Sequence, residues 1–243
     1  VIFSFSESRN VGKWGGFTLS WYEQFIDSSN ARNALENSIK IAIVVTIISV
    51  ILGTMSALAL ERFTFKGKRV FDALLYLPII IPDVTMAVML LLFFGEFFEI
   101  LDNLFGIQLR KGFWSISISH IAFNISFVSV VVRARLAGMS TDLEEAAVDL
   151  YASRWKAFRH VTFPQILPGI AGGALLAMTL SLDDVVITQF VAGPGWTTLP
   201  VYVFGLIRKG VTPLINSISV IMLVSSMLLV GLSLLAERTR RGG

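Results

Sequence analysis

From Ile41 to Leu60 the chain runs twenty residues without a charge, enough to cross the roughly 30 Å hydrocarbon core of a bilayer as one helix. Comparable apolar runs lie at about 71–94, 113–132 and 166–191, and a last one extends from Leu214 to Ala236. Lipid offers no water to pair with backbone N–H and C=O, so such runs must satisfy themselves as helices. The expected fold is therefore all-α and polytopic, with five full spans in one transmembrane domain over residues 1–243. At the start, VIFSFS reads as the tail of a further apolar run. Residues 1–37 are accordingly expected to hold the truncated end of a first span and an outer, periplasmic segment. An ordered extramembrane loop or a short interfacial helix around Trp21 and Phe25 is expected there.

Composition narrows the chemistry. The chain is 54% hydrophobic and 15% charged, whereas soluble domains carry about a quarter charged residues. With no cysteine, disulfides, thiolate catalysis and cysteine metal sites are excluded. His120 and His160 are the only histidines, too few for a histidine-rich metal cluster. No G-x-x-x-x-G-K-[ST] occurs, so the chain has no P-loop with which to hydrolyse ATP.

Basic residues set the expected orientation. Lysine and arginine concentrate at 62–69, at 133–159 and in the 238–241 tail, while the alternating loops hold only Arg110, Lys111, Arg208 and Lys209. By the positive-inside rule, 61–70, 133–165 and the C-terminus face the cytoplasm. Trp14, Trp21, Trp114 and Trp196 fall near span ends, where tryptophan anchors at the interface.

The longest segment unable to sit in lipid runs from Asp142 to Pro168. Thr141 and Asp142 ahead of Glu144 and Glu145 read as a capped, acid-rich helix start. Ala146, Ala147 and Leu150 follow at helical spacing, then a basic, aromatic turn with Arg154, Trp155, Lys156, Phe158 and Arg159, closed by Pro164 and Pro168. On spacing alone two readings stand level. One is an ordinary cytoplasmic hairpin whose alanines reflect helix propensity; the other is a short helix gripped from outside the membrane.

Three aspartates fall inside apolar runs, away from their ends. Asp183 and Asp184 are adjacent, and an aspartate at a span centre costs about 2.5–3.5 kcal/mol on insertion scales. Neighbours on a helix point about 100° apart, so one could face a water-filled path for a cation while the other pairs within the bundle. Both could instead serve packing. Asp83 follows Pro82 in a span expected to break midway; it is a candidate for a cavity wall or for a helix N-cap. His120 and Asn124, at i and i+4, are expected to make interhelical hydrogen bonds.

Several segments in order resemble one family. Glu145, Ala146 and Ala147, with Pro164 farther on and Val161 and Phe163 as conservative replacements, resemble the EAA loop of ABC-importer permeases. FTLSWYEQF, LPIIIPDVTMA, SLDDVVITQFVAGPG and LPVYVFGLIRKGVTP resemble the PotC-type permeases of spermidine/putrescine importers over nearly the whole chain. Tyr151 departs from the pattern: it stands where the family has glycine, at a tight turn that tyrosine adopts only with strain, and two readings follow, a looser turn or a tyrosine packed against the partner.

The resemblance implies a non-catalytic permease subunit of the bacterial inner membrane, moving polyamines in the ABC type I importer fold. It implies a second permease subunit, two ATP-binding subunits and a polyamine-binding protein as partners. No cofactor is then expected in this chain, ATP and magnesium belonging to the partner ATPase, and nucleic acid has no place. Coupling to that ATPase falls to Glu145, Ala146, Ala147, Leu150, Tyr151 and Pro164, with Asp142 to Leu150 as the docking helix; the pathway falls to Asp183, Asp184 and Asp83. Other functions weighed are the same machine for ferric ion, sulfate or an amino acid, a secondary transporter, and an intramembrane aspartyl protease, whose G-x-G-D signature is absent.

Overall fold

In the computed structural model, residues 1–224 and 227 are described, apart from 9, 11, 211 and 212. Most of the run from Leu214 to Ala236 and the basic tail lie outside the described residues. Among the described residues, regular structure is helical, with one isolated β-bridge between Ser6 and Phe17.

Helix α1 (Ser20–Asp27) is the short helix expected as one alternative around Trp21 and Phe25. It is followed by α2 (Ser29–Arg62), α3 (Lys68–Ile80), α4 (Asp83–Phe105), α5 (Phe113–Ala137), α6 (Asp142–Asp149) and α7 (Arg154–Ala157). Then come α8 (Phe163–Asp183), α9 (Val186–Val191), α10 (Leu199–Lys209) and α11 (Pro213–Val224). Among the described residues, four stretches are long and apolar enough to cross a membrane: α2, α4, α5 and the continuous Arg154–Asp183.

The prolines explain where helices stop and deform. Ile81, held extended at φ −70° and ψ 129°, precedes Pro82, whose ring disfavours the helical region for its neighbour. The run 71–94 is therefore two helices, broken midway as expected. The second does not end at 94, however. The stretch 95–112, whose acids Glu96, Glu99 and Asp102 suggest an amphipathic connection, is helical as far as Phe105, because Phe97, Phe98, Ile100, Leu101 and Leu104 continue the apolar pattern past Glu96 and Glu99. Pro164 has the opposite effect. It lacks an N–H and would crowd the carbonyl of His160; the helix widens into a π turn at Phe158–Thr162 immediately before it rather than stopping. The expected basic turn is thus part of a 30-residue helix, Arg154–Asp183, about 45 Å long at 1.5 Å per residue.

Contacts group the chain into two units. The first comprises 1–41, 87–116 and the residues from 182 onward. Its core is Phe25, Ala31, Ala34, Leu199 and Ile218. Long-range hydrogen bonds fasten it: Asn37 donates to the carbonyls of Gly195 and Thr197, Ser38 Oγ accepts from Leu199 N–H at 2.8 Å, and Ser115 Oγ donates to Val191 O at 2.8 Å. Trp21 donates to Ser6 O, and the Trp196 ring lies 5.2 Å from Phe113. Trp14 and Trp114 remain exposed.

The second unit comprises 42–86 and 117–181. Ala57, Val128, Val132, Leu136, Ile166 and Ala177 form its core. Helix α5 carries most of this packing, and small residues bring its neighbours close. A Cβ on Gly53 would stand 2.7 Å from Val128 Cβ, so α2 can touch α5 only with glycine there. At one end of the unit, Arg133 on α5 donates to Glu61 on α2 at 2.8 Å and to Asp72 on α3 at 2.5 Å, tying three helices together.

Candidate functional site

Helix α6 carries the acidic, alanine-bearing segment. Thr141 sits at its N-cap position, but its hydroxyl makes no capping bond; Ser140 Oγ instead accepts from Asp142 N–H at 3.0 Å. The capping expected of Thr141 is thus moved one residue back. The Thr-x-x-Glu spacing also fails to close on itself, since Glu144 turns toward other helices.

Thr162 Oγ1, in the π turn, donates to Glu144 Oε1 at 2.8 Å. Arg62 Nη2, at the end of α2, lies 3.0 Å from the same oxygen. That is ion-pair distance without hydrogen-bond alignment, and Arg62 Nε and Nη2 are buried with no aligned acceptor among the described residues. One carboxylate therefore joins α6 to both α2 and the long helix. No residue of α6 is buried, and between it, Arg62, Phe63, Trp155 and Phe158 lies a cavity of about 820 Å³. The helix is held by a charged clamp rather than by packed apolar surface. Such attachment fixes position with little area, leaving the helix displaceable as a body.

The residues expected to meet a partner are mostly exposed, and Glu145 also lines this cavity. Glu145 and Ala146 are exposed and Ala147 half-buried. Leu150 is 82% exposed and Tyr151 99% exposed. Pro164 is exposed too, placed by the long helix rather than by α6. Sequence spacing does not single out Arg62 or Thr162, and it gives Glu144 only a local role. The one signal is Glu144 at N3 of a capping box, which tertiary contacts override.

Tyr151 carries the strain expected of it. Its φ is 63°, the one left-handed value at a non-glycine among the described residues. Tyr151 N–H bonds Val148 O at 2.9 Å and Ala152 N–H bonds Ala147 O at 3.0 Å, the paired bonds of a Schellman motif with Tyr151 at C′. The turn is tight, with a tyrosine in glycine's place, at a strain of roughly 1–2 kcal/mol.

The paired aspartates are divided by a helix break. Helix α8 ends at Asp183 and α9 begins at Val186, so the two carboxylates do not lie along one helix as the apolar run suggests. Asp184 closes the break: Oδ1 accepts from Ile187 N–H at 3.3 Å, and Oδ2 accepts from Thr188 N–H and Thr188 Oγ1, both at 2.7 Å. It is a side-chain cap for α9. Asp183 is exposed and makes no such bond among the described residues. A carboxylate at a helix C-terminus opposes the macrodipole, so local structure gives no reason for its charge. Asp83 is exposed in the first turn of α4, where the dipole favours an acid. It makes no side-chain capping bond among the described residues, and its position alone suits the helix-start reading.

His120 is fully buried, with Nδ1 2.9 Å from Ser181 Oγ, joining α5 to α8. Asn124 instead donates back to His120 O within its own helix. The expected interhelical bond is therefore made by one of the pair. Among the described residues no group of His, Asp and Glu could hold a metal ion.

Apolar helices of membrane length, a clamped acidic helix and an uncapped carboxylate at a break fit known membrane machinery. The profile of the binding-protein-dependent transport system inner membrane component matches residues 49–238. The chain is 36% identical to the spermidine/putrescine transport system permease protein PotC of Escherichia coli K12 over all 243 residues and 88% of that protein. It is 39% identical to the putrescine transport system permease protein PotI of the same organism, over 92% of this chain and 78% of that one. A crystal structure of a bacterial ABC transporter importing the acidic polysaccharide alginate has the same fold, with a TM-score of 0.81 at 17% identity over 93% of this chain and 85% of that one. The chain belongs to the family of inner-membrane components of binding-protein-dependent transport systems, and is a multi-pass permease subunit.

Proposed function

We propose that the chain moves polyamines, spermidine or putrescine, through an ATP-driven importer, with Asp183 facing the path. The observation that carries this reading is the division at the α8–α9 break. Asp184 is consumed by its own chain, while Asp183 is exposed, unpartnered among the described residues and set between apolar segments. A charge in that setting needs a use, and a carboxylate suits an ammonium group. The names of the relatives supply the same class of cation.

On this reading one of two ATP-binding subunits docks on α6 through Glu145, Ala146 and Leu150, and the pair carries the ATP and magnesium. A second, related permease subunit completes the path and an external binding protein delivers the solute. Displacement of α6 would pass through Glu144 to Thr162, and so into the helix whose far end is Asp183. Thirty residues in one unbroken helix span that distance as a single element, which makes it a suitable lever.

Uptake into proteoliposomes tests the reading. With the assembled importer, ATP inside and binding protein outside, labelled spermidine or putrescine should accumulate, and ferric ion, sulfate and amino acids should not. ATPase stimulation only by an anion-loaded binding protein would overturn the polyamine assignment while leaving the permease role intact.

A further inference from the structure

We propose that Tyr151 is the residue by which this permease selects its own ATP-binding subunit, its ring entering an apolar slot on that subunit. The inference rests on the reading that α6 is the docking helix, and adds to it a residue where the family pattern has glycine.

Three observations carry it. Tyr151 holds φ 63° while every other left-handed residue described, Gly12, Gly16, Gly67, Gly106, Gly195 and Gly210, is glycine. Nothing among the described residues compensates the strain, because the side chain is 99% exposed and its ring makes no described aromatic contact. The backbone bonds of the turn, Tyr151 N–H to Val148 O and Ala152 N–H to Ala147 O, would form equally well with glycine. An observed backbone outlier without local benefit points to a use elsewhere. A large, half-polar ring projecting from a fixed turn is the residue type that anchors interfaces.

The surroundings specify the partner's chemistry. Leu150, beside Tyr151, is 82% exposed, and Asp142, Glu145 and Asp149 are exposed along the same helix. The complementary surface is an apolar slot sized for Leu150 and the Tyr151 ring, rimmed by basic side chains. The left-handed turn fixes the direction of the Tyr151 Cα–Cβ bond, so the backbone needs little ordering on binding.

The test is a titration of the ATP-binding subunit onto the importer's membrane complex in nanodiscs, with melting temperature read in parallel. Tyr151→Gly and Tyr151→Asn both suit a left-handed turn and lack the ring. Each should weaken binding about tenfold or more, as loss of an aromatic anchor does, while melting no lower than the parent. Tyr151→Phe should bind within about twofold, since the ring is what is gripped. The docking reading is checked separately with Glu145→Lys combined with Leu150→Asp. If Tyr151→Gly binds as tightly as the parent while that pair abolishes binding, the Tyr151 proposal falls and docking stands. If the pair also binds normally, both fall. Tyr151→Phe as weak as Tyr151→Gly would overturn the role of the ring, and a lower melting temperature in Tyr151→Gly would show that the ring serves its own chain.

Discussion

The chain places adjacent carboxylates at two helix ends, and the two pairs share a division of labour. On α6, Glu144 is held by Thr162 and Arg62 while Glu145 is exposed. At the α8–α9 break, Asp184 is held by Ile187 and Thr188 while Asp183 is exposed. The difference lies in what the bound member does. Glu144 reaches across 18 residues to join separate helices, whereas Asp184 reaches four residues to start the next one. The first bound carboxylate is a tertiary clamp and the second a local cap. In each pair the neighbour is left available, and only the second pair lies where a free charge is expensive.

Breaking the local cap should have the largest effect. Asp184→Ala removes an acceptor shared by two backbone N–H groups and a hydroxyl. A loss of about 2–3 kcal/mol is expected, read as a lower melting temperature of the purified permease in detergent. Asp183→Asn should melt no lower than the parent, since its charge opposes the α8 dipole; if the two variants melt alike, the division at the break is wrong.

Breaking the clamp comes next. Glu144→Ala leaves the Arg62 guanidinium without its anion, and Arg62 is only 18% exposed. Partial exposure moderates the cost to about 1–2 kcal/mol. Spectroscopic distance measurements between labels on α6 and α2 should show a broadened distribution. Glu145→Ala should leave that distribution as it was.

The free members sharpen the comparison through function. Asp183→Asn is expected to reduce polyamine uptake about tenfold, equivalent to ~1.4 kcal/mol, with ATP-binding-subunit association unaffected. Glu145→Lys should do the reverse at the first step, losing the subunit and with it all uptake. A Glu145→Lys variant that retains both would remove Glu145 from the docking face.

The smallest effect isolates one bond. Thr162→Val deletes the hydroxyl that donates to Glu144 and should cost about 1 kcal/mol. A double-mutant cycle with Glu144→Ala should return a coupling of about 0.5–1.5 kcal/mol. Additive losses would show that Thr162 and Glu144 do not act together.

Much of the fold and part of the site can be read from the residues alone, and the departures share a cause. Pro82 announces the break between α3 and α4, since its effect on Ile81 is a matter of covalent geometry. The strain at Tyr151 is equally legible, because a turn that suits glycine in the family penalises any side chain. Thr141 and Glu144 spell a capping box, and there the local rule loses. A hydroxyl and a guanidinium from distant segments offer the carboxylate better partners than its own helix does. The scattered acids of 95–112 suggest a connection, although the apolar spacing beneath them supports a helix as far as Phe105.

By itself the sequence determined that the chain is helical, spans a membrane and belongs with importer permeases. Bilayer length, the absence of water for backbone groups and the order of several motifs act at the level of the chain. Only the tertiary structure decided which acid in each pair is bound. Adjacent acids are near-equivalent in a sequence, and become different when a helix ends between them or when Thr162 and Arg62 arrive beside one of them.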